Sequence, residues 1–325
     1  MIRFTFALPV LLAAFSAHGA QSTNGGAWPV KSIRFIVPFP GGSASDAAAR
    51  VVAVKLGDAL GQQVVVDNRA GASGNIGVEL GARAAPDGYT LTLGTTSTHA
   101  VAPNVNSDLT YDPVKDFAPI SLISISPYVL AVHPAVAAAN LKEFIALAKI
   151  KPREISYASA GNASLAHLAG ELFSTMAGVK LNHIPYKSSA LAVIDLLSGR
   201  IDLQFGSIAP TLPHIRTGRL RALAVTGATR LTAMPEVPTV IEAGLRGYEV
   251  SLWYGMLAPA ATPATVIARL NREVVAILNT AEIKDVLIAQ GLEPAPMTPA
   301  AFAALIRGEL AKYRQVTRTA GIRAE

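Results

Sequence analysis

The 325-residue chain has no cysteine. That excludes disulfides, thiolate metal sites and a cysteine nucleophile, and it leaves no N-terminal cysteine for lipid attachment. Charged residues make up only 15%, against 51% hydrophobic, which is the balance of a folded chain rather than a disordered one. The surplus charge is +6, but the lysines and arginines are scattered and no basic helix stands out. Nucleic acid is therefore not an expected partner. After the first residues no run is long and apolar enough for a transmembrane helix. The sequence also lacks G-x-S-x-G, H-E-x-x-H and G-x-x-x-x-G-K-[ST]. His18, His99, His133, His167, His183 and His214 do not pair at metal-ligand spacing, so no metal or cofactor is expected.

The chain opens on a leader pattern. Arg3 gives a weak positive start, Phe6 to Ala17 is a short apolar run, and Ala17-His18-Gly19 is a small-x-small site. The reading is a signal peptide over 1–20, cleaved near Gly19-Ala20, with export of the rest. What remains is long enough for two domains, each with its own core.

One construction occurs twice. IRFIVPF runs into PGGSASD and then AAARVVAVKLGDALG; ISYAS runs into AGNAS and then LAHLAGELFSTMAG. Each is a strand, a glycine- and serine-containing loop and a helix. A helix that starts at a strand end offers unpaired amides and the positive end of its dipole, which together form an anion cradle. In the first loop Gly41 and Gly42 allow close backbone approach, while Ser43 and Ser45 can donate to carboxylate oxygens. Asp46 reads as a first-turn acid serving the helix dipole. The second loop, Ser159 to Ser164, has the same topology.

Strands at Lys31–Phe39, Val64–Val66 and Tyr89–Leu93 alternate with helices, which predicts half of a doubly wound sheet. Phe117 to His133 and Tyr248 to Leu257 read as two segments crossing between domains. The expected division is a discontinuous first lobe, 27–126 plus 252–325, and a second lobe, 127–251. Helices at 263–278, 281–290 and 299–320 are expected to return to the first lobe. Strand ends at Thr95 to Thr98 and Gly206-Ser207 fall where a switch-point crevice takes its ligand, and Tyr186 and Lys187 would line its rim. Trp253 and Tyr254 are hinge packing or a pocket wall. A second reading pairs Ser164 with His167, one helical turn on, as an exported Ser/His hydrolase. A helix cap on a polar face is the simpler account of those two residues.

The stretches WPVKSIRFIVPFPGGSASD, VVVDNRAGASGNIGVELGARAAPDGYTLTLGT, YDPVKDFAPISLI, HIPYKSSA, LPHIRTGRLRALAVT and WYGMLAPAATP, in this order, resemble the Bug family. These are the periplasmic solute-binding receptors of tripartite tricarboxylate transporters. The resemblance implies an α/β, two-lobed, type II Venus-flytrap binding fold. It implies a non-catalytic receptor that captures a small carboxylate between its lobes and delivers it to membrane permease subunits. The sequence leaves the oligomeric state open, with monomer as the default. Carried over by position, it assigns ligand contacts to Phe39, Gly41, Gly42, Ser43, Ser45, Thr95, Ser97, Ser159, Gly161, Asn162, Ala163 and Ser164, with Tyr186, Phe205 and Gly206 completing the pocket. Two positions depart from the family's habit: Gly206 stands where an aspartate usually follows the strand phenylalanine, and Tyr186-Lys187-Ser188 replaces the common PYKGS. A carboxylate receptor feeding a signalling partner would read the same way.

Overall fold

A computed structural model of the protein describes residues 1–2, 28–162 and 164–321. The expected leader and its cleavage site fall almost wholly outside these residues, and so does Ala163. No helix among the described residues is long and apolar enough to cross a membrane.

The first sheet segment is parallel, in the order β2-β1-β3: β1 (Ile33–Val37), β2 (Val64–Asn68) and β3 (Thr90–Thr95). Helices α1 (Ala44–Leu60) and α2 (Asn75–Ala82) make the crossovers. Ile33, Phe35, Ile36 and Val37 are all fully buried, which is why β1 reads as a continuous apolar run rather than an alternating one. After β3 the chain makes a π-type turn, Ser97–Val101, into a short helix α3 (Ala102–Val105).

A strand of 16 residues, β4 (Phe117–Val132), then leaves this segment. The second α/β series follows: α4 (Leu141–Ile150), β5 (Ser156–Ser159), α5 (Leu165–Ala177), β6 (Asn182–Pro185), α6 (Ser189–Leu197), β7 (Leu203–Ser207), α7 (Ile208–Arg216) and β8 (Arg221–Val225). β5 pairs in parallel with β6 and β7, while β7 and β8 lie antiparallel to the second half of β4. The chain returns along β9 (Ser251–Pro259), antiparallel to both β3 and β4, and ends with α8 (Ala264–Leu278), α9 (Ala281–Ala289), β10 (Glu293–Pro294) and α10 (Pro299–Ala320). The resulting sheet order is β2-β1-β3-β9-β4-β7-β5-β6.

Alternation along the strands gives each half of this sheet a core on both faces. On β9, Tyr254, Met256 and Ala258 face α1 and α8, in a core with Val52, Leu56 and Leu270. Trp253 and Leu257 face the other way, toward Val78 and Phe302. On β4, Tyr128, Leu130 and Val132 join Phe144, Phe173 and Phe205, whereas Val129 and Ala131 join Leu196 and Ile208. α8 and α9 pack on the first half. α10 does more: Phe302 and Ile306 enter the first half's core, and Tyr313 and Val316 enter the second's.

α7 was not legible in the sequence because Pro210 and Pro213 interrupt it. Pro210 lies in the first turn, where an amide has no helical partner in any case, and only Pro213 removes an interior hydrogen bond.

Candidate functional site

Strand register fixes where the two loops lie. Thr95, the last residue of β3, is opposite Tyr254 of β9, which is opposite Ser124 of β4. Ser207, the last residue of β7, is opposite Tyr128 of β4. Ser124 and Tyr128 are four residues apart on one strand, about 13 Å at the usual rise. The C-terminal ends of β1 and β3 therefore point toward those of β5 and β7 across the place where β4 and β9 pass between the halves. That crevice is where α/β sheets take ligands.

In the first loop Ser43 caps α1, its Oγ accepting the Asp46 amide at 3.2 Å. Gly42 has φ 80°, a value side chains disfavour, and the turn there brings its amide to Asp46 Oδ2 at 2.9 Å. Asp46 is only 4% exposed, and it also accepts from Arg50 Nε at 2.9 Å and Asn68 Nδ2 at 3.0 Å. Asn68 Nδ2 also donates to the Phe39 carbonyl at 3.0 Å. Burial pushes the Asp46 carboxyl up, but hydrogen bonds from Arg50, Gly42 and Asn68, with the Arg50 charge, outweigh it and hold it below the usual aspartate range. Asp46 is thus a loop clamp as well as a first-turn acid, and it neutralises the nearest arginine. The Gly42 amide is taken up internally. The first-turn amides of Ala44 and Ser45 have no intrahelical carbonyl to reach, although Ser45 itself is buried.

The end of β3 is tied inward. Thr95 is 1% exposed, and its amide donates to Thr98 Oγ1 at 3.1 Å. Thr98 Oγ1 lies 2.9 Å from His99 Nδ1, and Tyr111 Oη donates to the Thr98 carbonyl at 2.7 Å. His99 is fully buried, which lowers its pKa to about 3 and keeps the ring neutral. Ser97 is half-buried at the mouth of this turn. Gly74 connects the two loops: a Cβ there would meet Thr98 Cγ2 at 2.9 Å and the Phe39 ring at 3.1 Å.

In the second half, Ser159 Oγ accepts the Gly161 amide at 3.1 Å and lies 2.7 Å from His183 Nε2. The His183 ring stacks on His167 at 3.9 Å and 5°, and on Tyr157 at 4.9 Å. Burial first, and then His167, brings the His183 pKa down to about 4. Burial also lowers that of His167, against the opposing pull of Glu171. Ser164 caps α5, its Oγ accepting the His167 amide at 3.2 Å. The serine is thus bonded to the backbone of His167, while the imidazole lies flat on its neighbour. Asn162 is exposed and Gly161 half-buried beside this cap.

The remaining expected residues are placed unevenly. Tyr186 is half-buried, its amide donating to the Ser159 carbonyl at 3.1 Å and its hydroxyl to Asp195 at 2.8 Å. Phe205 is 1% exposed and packs edge-on to Tyr157 and Phe173 in the core of the second half. Gly206 is buried opposite Val129, and a Cβ on it would stand 2.7 Å from Thr211 Oγ1. Trp253 and Tyr254 are buried on the crossing strand, on its two opposite faces. Asn68 and His183 support the loops without having been singled out as site residues in the sequence, because each reaches its partner only through the sheet; Thr98, within the expected strand end, bonds locally to Thr95 and His99. Among the described residues no cluster of histidine, aspartate and glutamate is placed to hold a metal ion.

Residues 48–322 match the family described as tripartite tricarboxylate transporter family receptor. The protein BugT of Bordetella pertussis is 37% identical over 322 residues, covering 99% of this chain and 98% of that one. An R. palustris protein solved with adipate is 36% identical with TM-score 0.78, covering 91% of this chain and 99% of that chain. MatC from Rhodopseudomonas palustris, solved with bound malate, is 30% identical with TM-score 0.73, covering 89% and 99%. The fold is that of the two-lobed periplasmic binding proteins.

Proposed function

Because the chain belongs to the tripartite tricarboxylate transporter receptor family, we propose that it is a non-catalytic periplasmic receptor for a small carboxylate. The lobes are 27–126 with 252–325, and 127–251. One carboxylate group meets the α1 cradle at Gly41, Ser43 and Ser45, with Phe39, Thr95 and Ser97 beside it. The second lobe closes over it with Gly161, Asn162 and the head of α5. Closure requires a ligand that touches both lobes, since only differential contact shifts the equilibrium. The exported, leader-free monomer then hands its solute to permease subunits.

The observation that carries this reading is the convergence of the β1/β3 and β5/β7 ends on the same crossing of β4 and β9. Relatives that hold adipate and malate favour a carboxylate of that class. Calorimetric titration of natively purified protein with adipate, malate and benzoate tests it. Saturable binding of at least one, weakened by Ser43→Ala, is the expected result. A panel of aliphatic and aromatic carboxylates that all fail to bind overturns it.

A further inference from the structure

The corner between α9 and β10 belongs to the first half but touches the second. Leu292 is 1% exposed in the first half's core, and Glu293 and Pro294 pair with Ile125 and Ser124 of β4. Ser126 Oγ donates to the Gly291 carbonyl at 3.0 Å. These contacts fix the corner to the first half. Across from it stands Thr232, in the loop after β8. Leu231 and Met234, on either side of it, are buried in the second half's core with Ile208 and Val225. The Met234 amide donates to the Leu231 carbonyl at 3.0 Å and closes the turn. Thr232 is therefore fixed to the second half. The two residues meet in a two-pronged contact: Glu293 Oε1 accepts the Thr232 amide at 2.8 Å, and Oε2 accepts the Thr232 hydroxyl at 2.9 Å. Gly291 shows how closely the halves approach here. Its φ is 73°, and a Cβ on it would stand 2.7 Å from Ile208 Cβ, in the first residue of α7.

We propose that Glu293 is a clasp between the lobes: its carboxylate grips Thr232 at one relative setting of the lobes and releases it at others. Glu293 is thus a positioning residue, outside the set that meets the ligand. The inference rests on the two-lobed closure described under the proposed function. Both partners stand on bases packed into different cores, so neither can follow the other. A rotation that parts them by about 1 Å removes both hydrogen bonds. A surface contact of this kind adds little to the stability of a whole domain. Set against a balance between two lobe arrangements, it changes their ratio several-fold.

The test uses the absence of cysteine, which allows clean pairwise spin labelling at Val54→Cys on α1 and Ile194→Cys on α6, both exposed. Pulsed dipolar distance measurements on ligand-free protein read the distribution of lobe separations. Glu293→Ala removes both acceptors. It is expected to lower the population at the main wild-type distance about 3- to 10-fold relative to other separations, with the thermal midpoint nearly unchanged. Glu293→Gln is the conservative control, because its Oε1 can accept the Thr232 amide while its Nε2 donates to the Thr232 hydroxyl oxygen. It should keep the wild-type distribution. Adding Thr232→Ala to Glu293→Ala should change nothing further, since both remove the same contact. A Glu293→Ala distribution that matches wild type overturns the clasp, and so does a Glu293→Gln distribution as altered as that of Glu293→Ala. Addition of adipate to the labelled wild-type protein reads the receptor proposal separately: failure of any carboxylate to shift the distances counts against the ligand, while the ligand-free comparison still decides the clasp.

Discussion

The Asp46 carboxylate accepts the Gly42 amide at 2.9 Å, so the loop between β1 and α1 is held in shape by an internal anion. Asp46 is nearly buried and also accepts from Arg50 and Asn68. Asp46→Asn keeps the shape but not the charge, and it replaces one acceptor oxygen with a donor facing other donors. The expected loss is about 1–3 kcal/mol of stability, read as a lower urea midpoint at constant m-value. The native pKa of Asp46 lies below its unfolded value. Its contribution is therefore complete above the ordinary aspartate pKa and disappears as pH falls through the lowered one. Wild type and Asp46→Asn should converge in stability at acid pH, and a gap that stays constant from neutral to strongly acid conditions contradicts the clamp.

The stacked pair His167 and His183 gives an opposite chemical type the same sign of pH dependence. Both are held neutral: burial lowers each, and His183 falls to about 4. Unfolded histidine takes up a proton near pH 6.5 and the native pair resists it, so the unfolded state binds more protons in this window. Stability should be full above about pH 6.5 and decline toward pH 4, by about 1 kcal/mol or less per pH unit for each residue. His183→Gln should flatten the slope of thermal midpoint against pH between 7 and 5.

Gly206 is a test of shape. A Cβ there would lie 2.7 Å from Thr211 Oγ1, whose hydroxyl donates to the Ser207 carbonyl at 2.8 Å. Gly206→Ala should cost about 1–3 kcal/mol through overpacking. Thr211→Ala should relieve part of it, so the double-mutant cycle is expected to show a favourable coupling term. Additive single effects would mean that the two side chains do not compete for this space.

The sequence disclosed the repeated strand–loop–helix unit because both copies carry local signals: an apolar run, then glycine and serine, then a cap. Ser43 and Ser164 do cap helices, and the alternating elements fall close to where periodicity puts them. What it did not disclose is non-local. Asn68 reaches Phe39 and Asp46 only because β2 pairs with β1, and His183 reaches Ser159 only because β6 pairs with β5. Phe205 entered through the resemblance alone; its packing edge-on to Tyr157 and Phe173 depends on β7 pairing with β5 and is not local either. The double anchoring of α10 has no local signature, since an amphipathic helix shows which face is buried but not how many cores share it.

Thr96 shows how the turn after β3 is referred to the crossing strand. Its Oγ1 donates to the Ser251 carbonyl at 3.1 Å and accepts the Trp253 amide at 2.9 Å. Thr96 is fully buried, and these two bonds fasten it to the first residues of β9, where the chain passes between halves. Thr96→Val preserves volume and removes both partners at once, leaving the Trp253 amide and Ser251 carbonyl buried and unmet. The expected loss is about 2–4 kcal/mol, from two desolvated groups that cannot recover water. Thr96→Ser should retain most of the stability because the oxygen remains. Serine also leaves a small cavity where the methyl was, so its remaining deficit should be about 1 kcal/mol. Chemical denaturation of the two variants separates lost hydrogen bonds from lost volume. A Thr96→Ser variant as unstable as Thr96→Val would assign the effect to packing and release the turn from β9.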